Sequence, residues 1–387
     1  MKKKLDKFKS IIKRLKDLTT VGVANIITSA IGGIFWFYIA SLVGVENYGE
    51  ISYFIAIAGI AGVISFLGAG TTITVYTAKG EKIESAVFSI SIISSIITST
   101  IVFFIFYNLG ASLYSLGFVI FGLATSELLG KKLYRNYSIA IITQRILMVA
   151  LAVSFYVLLG STGVILGIAL SFFPYSIRLY HGFKSSKIDY SVVKSKWTFM
   201  MNNYILDLSR TFSGSIDKLI IAPLFGFTLL GNYQLGVQFL AVLALIPNVV
   251  YQYVLPQDAS GKPKDVLKKA TILVSILLLI LGVLLAPLVV PLLFPKFTDA
   301  VEVVQIMSFA IIPASINLMY ISKFLGRENS KIVLISSGIS IITQILGMAL
   351  LGQLLGIKGV AIAYVLGASL EALFLVAVNK RIKYQIN

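Results

Sequence analysis

The sequence predicts an all-α integral membrane protein, with about twelve transmembrane helices in two six-helix lobes repeated in parallel around a central cavity. Three observations predict it. The 387 residues are 57% hydrophobic and 13% charged, with mean hydropathy +0.92, where a soluble domain carries about 25% charged residues. Apolar runs of about 20 residues, enough to cross the bilayer core as a helix, recur from end to end. The second half of the chain also resembles the first.

Taken in order, residues 1–19 form a basic lead, MKKKLDKFKSIIKRLKD followed by Leu18 and Thr19. Leu5, Phe8, Ile11, Ile12, Leu15 and Leu18 recur at helical spacing between lysines. That pattern predicts an amphipathic helix on the cytoplasmic leaflet, in contact with anionic membrane lipids. No short apolar stretch ends in a small-residue cleavage site, so the segment does not read as a signal peptide. Candidate spans follow at 20–43, 51–76, 85–107, 111–129, 138–159 and 162–180, an N-lobe of 20–180. The fifth and sixth spans are separated only around Gly160-Ser161-Thr162. Residues 181–197 read as a cytoplasmic linker. A C-lobe of 198–379 holds spans at 198–224, 231–254, 270–293, 300–322, 332–354 and 357–378, before a cytoplasmic tail of 380–387. Pro287, Pro291 and Pro295 mark the outer end of the ninth span as a hinge or a stop.

The charges sort by side. Of the 33 Lys and Arg, 28 fall in the lead, the tail or the connections after even-numbered spans. The opposite connections carry only Lys296 and Lys358, and Arg145, Arg210 and Lys218 lie within spans. The positive-inside rule places both termini in the cytoplasm of a multi-pass plasma-membrane protein. The net charge of +17 therefore reports topology and headgroup contact, not nucleic acid. The chain has no cysteine, which excludes disulfides, thiol nucleophiles and thiolate metal sites.

Four stretches recur in the same order. IASLVGVENYG (39–49) pairs with IAPLFGFTLLGNY (221–233), with three residues inserted before the shared Asn-Tyr. KLYRN (132–136) pairs with FLGREN (324–329), IITQRILMVAL (141–151) with IITQILGMAL (341–350), and LLGSTGV (158–164) with LLGIKGV (354–360). A repeat of six helices keeps the same orientation in both halves. It predicts a pseudo-two-fold axis along the membrane normal, with a cleft between the lobes.

On these residues the chain resembles a known family. ANIITSAIGGIFWFYIASLVGVENYGEISYFIAIAGI (24–60) is similar to the opening of polysaccharide (Wzx-type) flippases. SGSIDKLIIAPLFGFTLLGNYQLG (213–236), with its Asp217, is similar to their seventh and eighth helices. The resemblance covers nearly the whole chain and extends to the wider MOP superfamily, with its MATE drug exporters and lipid II flippases. It implies a MATE-like fold and alternating access between two lobes. It implies a non-enzymatic flippase that carries a polyprenyl-diphosphate-linked oligosaccharide from the cytoplasmic to the outer leaflet. A MATE-like ion-coupled multidrug or cation antiporter is the alternative. An integral-membrane enzyme of lipid-linked glycan synthesis is a further one, disfavoured by the short outer connections.

Ionisable groups inside spans mark function by default. In the seventh span Asn203, Asp207, Arg210, Thr211, Gly214, Asp217 and Lys218 project within about a third of the helix circumference. The first span adds Asn25 and Trp36 beside Thr28, Ser29 and Gly32; the fifth adds Gln144 and Arg145; the twelfth adds Glu371. Read as a substrate cavity, these residues give Arg210, Arg145 and Lys218 to the phosphates and the amides, hydroxyls and aromatics to the sugars. The carboxylates would hold the cations or couple transport to H⁺ or Na⁺. The competing reading is buried ion pairs that fix helix packing, and snorkelling for Lys218. Glu127 reads as a partner of Lys131 or Lys132. The lone histidine, His181, reads as a surface residue. Gly163-x-x-x-Gly167 reads as a helix contact or a chance spacing. No phosphate-cradling ATPase loop, metal site or catalytic group is found, and the sequence sets no oligomeric state.

Overall fold

In a computed structural model, residues 19–184 and 188–381 are described with their side chains, together with the backbone of 2–18, 185 and 382–386. The amphipathic reading of the lead and most of the predicted tail concern side chains outside those described. The chain is helical throughout, with no strand among the described residues.

The chain divides into two compact units, one of residues up to Phe35 with Phe54–Ser215, the other of Trp36–Tyr53 with everything from Ile216 on. The first unit takes α1 (Lys2–Val43) as far as Phe35, most of α2 (Val45–Phe66), and then α3 (Ala69–Ala78), α4 (Glu84–Phe106) and α5 (Leu109–Gly130). It continues with α6 (Tyr134–Leu159), α7 (Ser161–Leu170), a 3₁₀ turn at Phe173–Tyr175, α8 (Ser176–Ser185), α9 (Tyr190–Ser195) and α10 (Trp197–Ser213). The second unit holds α11 (Ile216–Leu243), α12 (Leu245–Ala259), α13 (Asp265–Leu293) and α14 (Ala300–Ser308). It ends with α15 (Ile311–Leu325), α16 (Ser330–Leu355) and α17 (Ile357–Ile386). Ile73, Val87, Phe88, Leu123 and Met200 anchor the core of the first unit. Tyr233, Val303, Met307, Ile311 and Val360 anchor that of the second. Leu273, Leu277, Leu284, Leu288 and Leu292 of α13 are exposed, as on a helix that faces acyl chains.

Ten helical stretches, and the pair α14–α15 bent by 42°, are long and apolar enough to cross a bilayer. The sequence predicts twelve, and the difference lies in Trp197–Leu243. These 47 residues pass as one stretch, yet at 1.5 Å per residue they run about 70 Å, more than twice the hydrocarbon core. The stretch is broken at Gly214–Ser215, and again at Gly226, whose φ of 85° lies outside the helical region. The predicted second span is likewise divided, by left-handed Leu67 and Gly68. α13 runs unbroken through Pro287 and Pro291 to Leu293.

The repeat is present in the backbone and corrects three of the sequence pairings, among them KLYRN with FLGREN, matched at 192 to 193. α6 and α16 both have 26 residues, and α16 begins and ends 196 positions after α6. The same 196 separates left-handed Lys132 from Glu328 and Gly160 from Gly356. Gly163 lies against the Phe155 carbonyl as Gly359 lies against that of Leu351, again 196 apart. IITQRILMVAL and IITQILGMAL, matched at 200, are therefore one helical turn out of register, and Gln144 corresponds to Ser340. Early in each half the offset is 182. Gly44 and Gly226 share φ near 84° (83° and 85°). Gly49 abuts the Phe227 carbonyl while Gly231 abuts that of Val45. That reciprocal contact needs no insertion, so the Asn-Tyr match is three residues off. It also draws 36–53 into the second unit, so the borders differ from the lobes of 20–180 and 198–379: bundles group by packing, not by chain order.

Candidate functional site

In the first unit, α6 presents Gln144 and Arg145. Gln144 is buried and donates to the Ser171 hydroxyl at 3.0 Å, tying α6 to the end of α7. Arg145 has no carboxylate within ion-pair distance among the described residues. Its Nη1 donates to Met148 Sδ at 3.4 Å, and its guanidinium lies against Gly32 of α1. Tyr114 of α5 is its electrostatic neighbour. A Cβ at Gly32 would lie in ordinary van der Waals contact with the guanidinium, at 3.7 Å. Along α1, Ala24, Thr28, Gly32 and Phe35 form the buried face, while Asn25 and Ser29 beside it are exposed. Trp36 stacks edge-on against Tyr48 at 6.4 Å in the second unit.

α10 carries Asn203, Asp207, Arg210 and Thr211. Only Met200 of this helix is buried, so the helix is anchored at its start, where the Met200 carbonyl and Tyr204 backbone close on Gly68. Asn203 and Thr211 turn back onto their own helix, donating to the Phe199 carbonyl at 2.8 Å and to that of Asp207 at 2.9 Å. Asp207 is half-buried with Arg210 in electrostatic reach, and Arg210 is exposed. The predicted continuous stripe is interrupted. The helix ends at Ser213, and Asp217 and Lys218 begin α11, in the other unit. Periodicity assumed one unbroken helix, and Gly214 with Ser215 does not sustain it.

The second unit gathers the carboxylates. Asp217 is 6% exposed, paired with Lys218 at 3.0 Å and accepting the Tyr233 hydroxyl at 3.0 Å. Tyr364 of α17 lies within electrostatic reach of both Asp217 and Glu371. Two turns beyond Tyr364, Glu371 accepts from Asn317 Nδ2 of α15 at 3.2 Å and from Ser336 of α16 at 3.3 Å. Ser340, one turn on, lies within electrostatic reach of it. Asn317 spends its amide on Glu371 and on the Ala368 carbonyl, leaving its buried Oδ1 without a hydrogen-bond partner. No Arg lies within ion-pair distance of Glu371 among the described residues. Sequence reasoning missed Asn317, Ser336, Ser340, Tyr233 and Tyr364. The i, i+4 pair of serines on α16 and the two-turn spacing of Tyr364 and Glu371 were the available signals.

Three other expectations resolve. Glu127 pairs with Lys131 at 2.5 Å and with Arg178, which the sequence did not suggest. Gly163 and Gly167 both pack on α6 carbonyls, at Phe155 and Leu151, so the motif is a helix contact. His181 is exposed.

No family profile and no curated protein matches the chain. Solved structures do match. A multidrug-resistance MATE transporter of the MOP superfamily, inward-facing, superposes with TM-score 0.74 over 95% of this chain and 98% of its own, at 15% identity. A lipid II flippase, MurJ, in an inward closed conformation, gives 0.72 over 93% and 87%, at 14% identity. A MATE transporter in an outward-facing conformation gives 0.63 over 95% and 96%, at 14% identity. The chain has the fold these transporters share.

Proposed function

We propose that the chain is an alternating-access flippase that moves a polyprenyl-diphosphate-linked oligosaccharide from the cytoplasmic to the outer leaflet. The observation that carries this is Arg145. A guanidinium inside a span, with no carboxylate to neutralise it among the described residues, is costly to keep unless it serves an anion. A diphosphate is an anion with the fork geometry guanidinium prefers. Arg210, with Asp207 in electrostatic reach, and Lys218, paired to Asp217, are further cations, each with a carboxylate beside it. Asn203, Thr211, Asn25, Gln144 and Trp36 supply polar and aromatic surface for sugars. The Wzx-type resemblance and a lipid II flippase among the matching folds support the substrate class, and the one-sided lysines support cytoplasmic termini.

The second unit supports ion coupling. Glu371, held by the Ser336 hydroxyl and the Asn317 amide, is a membrane carboxylate able to take up H⁺ or Na⁺. Protonation or a bound cation would neutralise the Glu371 carboxylate and release would restore its charge, and Asp217 with Tyr233 would answer through Tyr364. This cluster also favours the second reading, a MATE-like cation or drug antiporter, which needs such carboxylates.

Reconstitution in liposomes with a fluorescent polyprenyl-diphosphate saccharide tests the reading by quencher accessibility. Arg145→Ala should slow translocation about 10- to 100-fold, the worth of one charge-assisted contact, and Arg210→Ala and Asp207→Ala should also impair it. Wild-type liposomes that leave the saccharide in place but take up a cationic drug against an ion gradient would establish the antiporter instead. Protection of residues 1–19 from external protease in intact cells checks the topology.

A further inference from the structure

Outside the groups assigned above, the first unit has a cavity of about 420 Å³ where the end of α5 meets the turn into α8. Glu127, Lys131, Pro174, Tyr175, Ile177, Arg178 and His181 line it. Its charge is arranged in an unusual way. Glu127 is 3% exposed and sits at the bottom, with Lys131 Nζ at 2.5 Å and Arg178 Nε at 3.0 Å. Arg178 Nε and Glu127 Oε2 are off the hydrogen-bond axis, and neither makes a hydrogen bond. The carboxylate thus holds the guanidinium by charge through its Nε edge alone. The two terminal nitrogens of Arg178, which form the bidentate edge of the fork, meet no acceptor among the described residues. Lys131 and Arg178 remain about a third exposed (36% and 31%), and two cations against one buried carboxylate leave the cavity positive.

The other wall is apolar. Pro174 and Ile177 flank the cations, and Ile177 is 64% exposed. His181 donates its Nδ1–H to the Ile177 carbonyl, since a carbonyl can only accept, so its second nitrogen is the one left for a ligand or water. The cavity lies at the ends of two membrane-length stretches, Leu109–Gly130 and Ser161–Lys184, the depth of lipid headgroups. The corresponding place in the second unit differs. Glu127 aligns with Lys323, and the buried charges there are closed by Lys268 and Ser322 on Asp258 at 2.6 Å.

We propose that this cavity is a binding site for the phosphate of an anionic membrane lipid, with Arg178 and Lys131 on the phosphate and Pro174 and Ile177 against the glycerol and first acyl carbons. Glu127 is a positioning residue that presents the fork edge of Arg178. An apolar wall beside a phosphate-sized cationic fork suits an amphiphile better than a free ion. Arg145 is not among its lining residues, and the site does not depend on what the protein transports.

Purified full-length protein in neutral maltoside detergent, titrated with a tail-labelled short-chain phosphatidylglycerol, tests this by fluorescence anisotropy. Arg178→Gln should weaken binding about five- to tenfold. Lys194→Gln, the same charge change at an exposed α9 position away from the cavity, should leave it within twofold. Ile177→Ser should weaken phosphatidylglycerol binding without altering competition by inorganic phosphate. Unlabelled phosphatidylglycerol should compete, and phosphatidylcholine should not. Equal losses in Arg178→Gln and Lys194→Gln would show diffuse surface attraction and overturn the site. Competition by millimolar inorganic phosphate as strong as by the lipid would overturn the lipid assignment in favour of a free anion. Arg178→Lys controls for folding: it keeps the charge and should bind between the two.

Discussion

The same place in the two halves is built from opposite chemistry. At an offset of 196, Phe121, Ala140 and Tyr175 of the first unit correspond to Asn317, Ser336 and Glu371 of the second. In the first unit Phe121 and Tyr175 stack at 4.9 Å, and the Tyr175 hydroxyl donates to the Ala140 carbonyl at 2.6 Å. In the second, the Asn317 amide and the Ser336 hydroxyl converge on Glu371 instead. The backbone is shared and the ionisable group is not. At these positions the first unit has only aromatic and aliphatic side chains, and the second has the Glu371 carboxylate. The halves therefore share a scaffold and differ in where the ionisable group sits.

That division can be broken by measurement. Glu371→Gln should remove the dependence of translocation on an ion gradient, a fall of about 5- to 150-fold toward the gradient-free rate, the range of a coupling free energy of 1–3 kcal/mol. Unchanged gradient dependence would mean the second unit does not couple. Where the halves are alike, equal costs are expected. Gly49→Ala and Gly231→Ala each push a methyl into the partner's carbonyl, at Phe227 and Val45, and each should lower stability in detergent by about 3 kcal/mol. Unequal melting shifts would show that the reciprocal contact is not symmetric. Where the halves differ, one deletion should read differently in each. Tyr233→Phe strips a donor from buried Asp217 and should cost about 2 kcal/mol. Tyr175→Phe removes only a bond to a backbone carbonyl and should cost about 1 kcal/mol. A larger loss from Tyr175→Phe would reverse the ranking of the two sites.

Much of this was legible along the chain. Composition and apolar run length determine a helical membrane protein, because the bilayer admits few other ways to satisfy the backbone. The six-helix repeat was legible too, since duplicated glycines at turns and crossings keep their spacing. Arg145, Asp217 and Glu371 stood out because ionisable residues are rare in apolar runs. What tertiary structure alone decided is who meets whom. Arg178, not only Lys131, answers Glu127, because α8 folds back onto the end of α5. Glu371 is held by an asparagine and a serine, residue types too common in membrane helices to signal a site. Register was also decided in space. Ile, Leu and Gly are so abundant that a one-turn slip of α6 against α16 matches letters better than the true pairing does. Only the close approach of Gly163 and Gly359 to a carbonyl, and of Gly49 and Gly231 to each other's helices, fixes which residues correspond. The division at Gly214–Ser215 belongs to the same class: helical periodicity carries a polar stripe through such a break, and packing does not.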